Sequence, residues 1–341
     1  MIYLVTGGCG FLGSNISFRL LEKGKNVFVF DNLSRYGSAQ NLNLLNQFST
    51  FKFINGDIRN KNDVERAIKK IQPDFIIHLA GQVAMTTSIE NTILDFETNI
   101  VGSFNLLESV KNYSIHSKVI YSSTNKVYGD LEQYNYIENE TRYICLDKPN
   151  GFCENTQLSF HSPYGVSKGS ADQYFLDFNR IFGLKTVVFR HSSIYGSRQF
   201  STENQGWVGW FISQAFRQKE NSNSFFNIHG NGKQVRDLLY ASDAAYLYIK
   251  TLENFDELNG NVFNIGGGTE NSCSLIELFK ILENKFKIEM KFKCLDPRES
   301  DQKVFISDIT KIKSKLDWDP KVDKYQGIEK SIKWAQTINK K

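Results

Sequence analysis

Short, nearly continuous apolar runs alternate with longer amphipathic stretches through the first half of the chain. Residues 3–6, 27–30, 51–54, 75–78, 119–122 and 186–190 read as strands, and the spacing between them predicts helices over 12–24, 62–71, 93–112 and 163–182. A strand that is apolar at successive positions is buried on both faces, and such strands separated by helices build a parallel sheet covered on both sides. The expected fold class is therefore α/β, a Rossmann-type doubly wound parallel sheet whose ligands sit at the carboxyl ends of its strands.

Beyond about residue 190 the rhythm changes to glycines, aromatics and short polar stretches, with helices predicted over 207–219, 242–254, 274–287 and 326–337. A length of 341 residues suits two domains. We expect residues 1–190 to form the first, with parts of 236–265 returning to it, and 191–341 to form mainly a smaller second domain. The long, polar and aromatic segment 130–162 reads as an insertion that either covers the site or meets a neighbouring subunit.

Composition narrows the partners. The formal net charge is only +4 and no block of lysine or arginine stands out, which argues against nucleic acid and against a membrane surface. The five cysteines, Cys9, Cys145, Cys153, Cys273 and Cys294, are scattered, so neither a disulfide framework nor a metal site is expected, and a reducing cytoplasm fits best. Met1 leads directly into the first strand rather than into a signal peptide.

The first strand runs into Thr6-Gly7-Gly8-Cys9-Gly10-Phe11-Leu12-Gly13. Gly7, Gly10 and Gly13 permit a tight turn and let the backbone approach a pyrophosphate at a helix N-terminus. Asp31 ends the second strand, where a carboxylate accepts both hydroxyls of an adenosine ribose and repels a 2′-phosphate; NAD is favoured over NADP. Asn32, Ser34 and Arg35 follow at the same edge, and an arginine there is able to bind that phosphate. Asp57 and Ile58 after the third strand, Leu79 and Ala80 after the fourth, and Asn99 in the following helix complete the candidate cofactor contacts, each with plain packing as its alternative.

Tyr164 and Lys168 stand four residues apart on a predicted helix and so share a face. An unperturbed phenol titrates near pH ~10, too high for a base at neutral pH. An ammonium beside it, together with an oxidised nicotinamide, stabilises the phenolate, and Tyr164 then takes a proton from a hydroxyl as hydride leaves the same carbon. Thr124, closing the run Val119-Ile120-Tyr121-Ser122-Ser123-Thr124, is placed to orient the reacting oxygen.

This ordered set resembles the extended short-chain dehydrogenase/reductase family of nucleotide-sugar enzymes over nearly the whole chain. The resemblance implies a Rossmann domain with a smaller C-terminal substrate domain, and puts Phe11, Leu12, Leu79, Ala80 and Ser122 on cofactor-contact positions. The family's 4,6-dehydratases carry an Asp-Glu pair after the threonine; here Asn125 and Lys126 stand there, so water loss is not expected and epimerisation or simple redox remains. The longer stretches GCGFLGSN (8–15), HLAGQVAMTTS (78–88), SSTNKVYGD (122–130) and QGWVGWF (205–211) are similar to those of the family's epimerases of CDP-dideoxyhexoses. That likeness implies inversion at C2 with retained NAD, in O-antigen sugar synthesis; inversion at C4, reduction of a keto sugar or, remotely, a non-catalytic dinucleotide-binding scaffold are the other readings.

Arg236 and Arg298 match family arginines that bind the substrate diphosphate, a task for paired guanidinium donors. Ser193 is a candidate substrate contact at a position where many relatives have Asn instead. His191 either touches the carboxamide or is a satisfied structural histidine. His78 reads as core, His161 as a lid or turn residue, and Trp207, Trp210 and Phe211 as core or a wall of the sugar pocket. The family likeness also implies a dimer or tetramer, and the helices at 93–112 and 163–182 are the candidate interface.

Overall fold

In the computed structural model, which describes residues 1–339, seven parallel strands form one sheet in the order β3-β2-β1-β4-β5-β8-β12. They are β1 (Ile2–Thr6), β2 (Asn26–Asp31), β3 (Phe51–Asn55), β4 (Phe75–His78), β5 (Lys118–Thr124), β8 (Lys185–His191) and β12 (Val262–Ile265). The expected α/β class is what the chain adopts. The sheet also gains β12, a strand from late in the chain, which pairs with β8 from Val262↔Val188 to Ile265↔His191.

Burial explains the layers. On one face the sheet packs against α1 (Phe11–Glu22), α2 (Ser38–Leu45) and α9 (Ala241–Glu253). The other face packs against α3 (Lys61–Ile71), α6 (Gly102–Tyr113) and α7 (Ser162–Phe182). Helix α3 shows the logic: Val64, Ala67, Ile68 and Ile71 recur with helical period and are buried, and Asn60 caps the first turn by accepting from Asn62 N. The helix expected over 93–112 is broken. The chain makes α4 (Met85–Glu90) and α5 (Thr92–Phe96), then a π-helical turn over Glu97–Val101 before α6. Asn99 sits in that turn with its carboxamide fully engaged, the kind of site where π turns concentrate.

The remaining strands are short. β6 (Tyr136–Glu138) and β7 (Tyr143–Cys145) form a hairpin inside the 130–162 insertion. β9 (Ser193–Tyr195), β11 (Val235–Tyr240), β13 (Ser272–Ser274) and β15 (Val304–Phe305) form a second sheet, and β10 (Phe226–His229) pairs with β14 (Phe292–Leu295). Helices α8 (Trp207–Glu220), α11 (Leu275–Phe286) and α13 (Lys324–Asn339) enclose a separate apolar core here, while α10 (Phe255–Leu258) and α12 (Thr310–Leu316) return to the first one. The insertion does not cover the site of this chain. None of its residues lines the central cavity; it is bound to the C-terminal half through Arg142 on Glu277 and through Tyr143 N donating to Lys233 O at 2.9 Å.

Candidate active site

A cavity of about 760 Å³ runs across the carboxyl edge of the large sheet, from the glycine loop to Arg298. Its first wall is backbone. Gly7 has φ +66°, and a Cβ there would lie 2.7 Å from Ala80 N; one on Gly13 would lie 2.3 Å from Gly7 O. Glycine is thus required at both positions for β1, α1 and the end of β4 to meet. A Cβ on Gly10 would meet only Gly7 O, at 3.1 Å, because its other side opens to the cavity. Gly10 caps α1 without any side-chain hydrogen bond, so the first-turn N–H groups near Phe11 and Leu12 are not claimed by a cap. The geometry is that of a turn able to cradle a pyrophosphate, and the residues present fit a dinucleotide.

Asp31 stands at the next strand end, its two oxygens accepting from Cys9 N at 2.9 Å and Leu33 N at 2.8 Å. Burial raises its pKa while those backbone donors pull it down. Ser34 and Arg35 line the same end, and Arg35 has no carboxylate partner among the described residues. Asn32 donates to Asp57 Oδ2 at 3.1 Å, and Arg59 bonded to that carboxylate brings Asp57 down to about 2. Ile58, Leu79, Ala80 and Ser122 continue the lining. Asn99 corrects the expectation. It lies behind the wall, accepting from Gln82 N at 2.9 Å and donating to Gln82 O, Asp95 Oδ1 and Ser167 Oγ at 3.0, 3.1 and 3.0 Å. Engaged in this way and outside the cavity lining, it shapes the turn after Ala80.

Thr124, Tyr164 and Lys168 converge on the middle of the cavity. Thr124 ends β5 and its hydroxyl accepts from Lys126 N at 3.2 Å. Tyr164 and Lys168 lie near the start of α7, which Pro163 helps to open. Lys168 Nζ donates to Ser122 O and sits 4.3 Å from the centre of the Tyr121 ring. Burial brings Lys168 down to about 7, with Asp172 and Asp95 pulling back. Burial also pushes Tyr164 up to about 12, against the lowering effect of the Thr124 hydroxyl. Burial thus works against the phenolate, and the activation expected from Lys168 together with an oxidised nicotinamide has to overcome it.

Beneath these residues lies a buried brace that sequence reasoning missed. Arg190 makes a two-pronged pair with Asp172, both contacts at 2.9 Å; Ser123 Oγ donates to Asp172 at 2.7 Å, and Arg190 reaches the Tyr128 hydroxyl at 3.2 Å. The signal was an arginine inside an otherwise apolar strand. His191 lines the cavity, with Nε2 2.8 Å from the Tyr248 hydroxyl; burial, then Lys168, brings it down to about 3, so it is neutral. His78 is core, held between Thr6 and Ser103. His161 precedes α7 and pairs with Asp130 at 2.7 Å.

At the far end Trp207, Trp210 and Phe211 line the cavity, and Trp207 Nε1 donates to Ser193 Oγ at 3.2 Å. Arg236 pairs with Asp301 at 2.6 Å, whereas Arg298 Nε is buried with no hydrogen-bond partner among the described residues. A guanidinium nitrogen left in that state is an unmet donor at this end of the cavity. The segment 197–206, also missed, spans both ends: Asn15 and Asn41 donate to Ser197 O and Arg198 O at 3.0 and 3.3 Å, and Phe200 packs edge-on to Tyr36.

A doubly wound sheet with a glycine cradle, an acidic residue on the second strand and a threonine–tyrosine–lysine cluster defines a dinucleotide-dependent oxidoreductase-type enzyme of the short-chain class. A family model described as GDP-mannose 4,6 dehydratase matches residues 4–331, and the chain belongs to the extended short-chain dehydrogenase/reductase family which that model represents. It is similar to the CDP-paratose 2-epimerase of Salmonella typhi, with 59% identity over 338 residues, 99% of this chain and 100% of the relative. Among solved structures, UDP-glucose 4-epimerase of Thermotoga maritima, crystallised with UDP-glucose, has 32% identity and a TM-score of 0.84, covering 99% of this chain and 100% of that one. The Thermus thermophilus UDP-glucose 4-epimerase complex with NAD has 27% identity and a TM-score of 0.80, covering 98% and 99%. The dehydratase model fits the fold, but the carboxylate pair of dehydratases is absent: Asn125 and Lys126 occupy those places.

Proposed function

We propose that this enzyme inverts C2 of a CDP-dideoxyhexose, converting CDP-paratose to CDP-tyvelose through a transient 2-keto sugar. The observation that carries the reading is the convergence of Thr124, Tyr164 and Lys168 in one cavity that has the glycine cradle at one end and Arg236 and Arg298 at the other. The choice of base and carbon is supported by the relative of 59% identity. Residues 1–190 with β12 hold the cofactor side in this reading, and most of 191–341 holds the nucleotide sugar.

Gly7, Gly10 and Gly13 would hold the pyrophosphate of NAD and Asp31 its adenosine ribose, and NAD when bound would supply a reversible hydride acceptor. The protein does the rest. Thr124 hydrogen-bonds the 2-oxygen and Tyr164 removes its proton, while the Lys168 ammonium favours the phenolate. Arg236 and Arg298 hold the diphosphate as the keto sugar turns about the bonds between diphosphate and ring. Tyr164 then returns the proton to the oxygen, leaving C2 inverted. His191 and Ser193 border the reacting end, and neutral His191 adds no second cation there. Because the C2 hydrogen never reaches water, deuterium placed at C2 should remain at C2, and turnover in heavy water should introduce none, as read by NMR. Washing-out of the label would refute transient oxidation; retention with inversion at C4 would refute the assigned carbon.

A second copy of the chain is the partner this reading adds. Ile93, Phe96, Phe104, Tyr174, Ile181 and Phe182 are large apolar side chains exposed on α5, α6 and α7, and they support a dimer or tetramer built on that face. No helix among the described residues is long and apolar enough to cross a membrane, and all five cysteines are free, which suits a cytoplasmic enzyme.

A further inference from the structure

The loop between β14 and β15 carries Arg298 and Asp301, and residues 296–303 in it have no strand or helix of their own. Its shape is imposed from elsewhere. Ser300 has φ +56°, a left-handed conformation that a non-glycine residue keeps only where its surroundings hold it. The surroundings are the turn directly after the catalytic strand. Lys126 Nζ donates to Ser300 O at 2.8 Å and lies 4.0 Å from Asp301 Oδ1. Asn125 Nδ2 donates to Gln302 Oε1 at 2.8 Å, and the fully buried Gln302 donates in turn to Gly129 O at 2.6 Å. Three successive loop residues, 300 to 302, are thus held by the segment that begins at Thr124.

We propose that Lys126, assisted by Asn125, is a positioning residue that fastens the Arg298 loop to the catalytic strand, so that the diphosphate anchor and the reacting oxygen are held in one frame. The inference rests on the reading of Arg298 as a diphosphate ligand. The chemistry demands such a frame. An epimerase has to let the sugar turn while the rest of the substrate stays still; an anchor on a loose loop would let the whole substrate drift away from Thr124 and Tyr164. The charges agree: Lys126, Arg236 and Arg298 line the cavity, Lys126 and Arg236 share Asp301 as an ion-pair partner and Asp130 also acts on Lys126, so cationic groups still outnumber carboxylates at the end that would take a diphosphate. Burial, then Arg236, brings Lys126 down to about 8 while Asp301 pulls it back, so the carboxylate also serves to keep the clamp charged. The same two positions that lack dehydratase carboxylates have in this way acquired another task.

The test uses the full-length enzyme and has two arms. In the first, native protein is digested with trypsin and cleavage after Arg298 and Lys303 is timed. Lys126→Met should be cut there about 10-fold faster or more, Asn125→Ala should be cut faster to a smaller degree, and Lys126→Arg should be cut at a rate near that of the wild type. Equal rates in all four proteins would overturn the clamp. In the second, cytidine diphosphate is titrated calorimetrically. Lys126→Met should weaken binding by about 10-fold or more, the scale of a lost hydrogen bond to a charged group. In an Arg298→Ala background the same substitution should add less than about 2-fold, since neighbours that act through one another are not additive. A full multiplicative loss in the double variant would mean that Lys126 touches the nucleotide itself, which overturns a positioning role. If the wild type binds no cytidine diphosphate, the functional reading fails, and the digestion arm still decides the clamp.

Discussion

The two ends of the cavity are built by different means. The cofactor end is made of main chain: glycines that must be glycine because a Cβ would collide within 3 Å, a helix start without a side-chain cap, and a carboxylate fixed by two backbone N–H groups. The nucleotide end is made of side chains reaching across the fold: Arg236 to Asp301, and Lys126 to a loop 174 residues away. Backbone geometry admits one shape of ligand and tolerates little change. A side-chain site is adjusted one residue at a time, which is how a single fold serves many nucleotide sugars. Thr124, Tyr164 and Lys168 stand where the two regimes meet.

Substitutions should separate the regimes, the largest effect falling where they join. Tyr164→Phe removes only the phenolic oxygen, and turnover should fall at least about 10²-fold, the scale of a lost acid–base group, while the purified protein keeps its dinucleotide. Near-normal turnover would remove Tyr164 from the mechanism. Arg298→Ala comes next. It should weaken cytidine diphosphate binding by about 10- to 100-fold, as expected for lost charge-assisted hydrogen bonds, and leave the dinucleotide content unchanged. Loss of the dinucleotide in that variant would show that the two ends are not independent.

The contrast also explains what was legible in the sequence. The strands at 75–78 and 51–54, the glycine cradle and Asp31 are encoded by local spacing, so periodicity and turn chemistry reach them directly. Tyr164 and Lys168 are readable because a helix puts positions four apart on one face. Asn99 misled because a position in the chain says where a residue lies and not which way its carboxamide turns; the π-helical turn directs it into Gln82, Asp95 and Ser167. The clamp at Asn125 and Lys126 and the 197–206 segment depend on partners far away in sequence, which no local pattern announces, whereas the Asp172–Arg190 brace left one local trace, an arginine in a mostly apolar strand. Helix α2 escaped for a simpler reason: of its three buried residues Ser38 and Asn41 are polar and only Leu45 is apolar, which leaves a very short apolar repeat over Ser38–Leu45.

The smallest expected effect is at Asp31, and it tests the backbone-built end by pH. Burial raises the Asp31 pKa above the ordinary carboxylate value, with the Leu33 and Cys9 N–H groups opposing it. A carboxyl whose folded pKa is raised holds its proton more tightly than in the unfolded chain. Its contribution to stability is therefore present at low pH and lost as pH rises through the shifted value. Cofactor affinity runs the other way. Ribose hydroxyls donate to the ionised form, so NAD binding should be fully developed when Asp31 is charged and should weaken as pH falls through the raised pKa, by at most about tenfold per pH unit for one proton. NAD affinity, titrated from neutral pH downward, should weaken in the wild type at a higher pH than an ordinary aspartate would give. Asp31→Asn keeps the size of the group and removes the titration; it should flatten that dependence and relax the discrimination against NADP. If the asparagine variant keeps the wild-type pH dependence, the proton belongs to another group and Asp31 is only a turn residue at the end of β2.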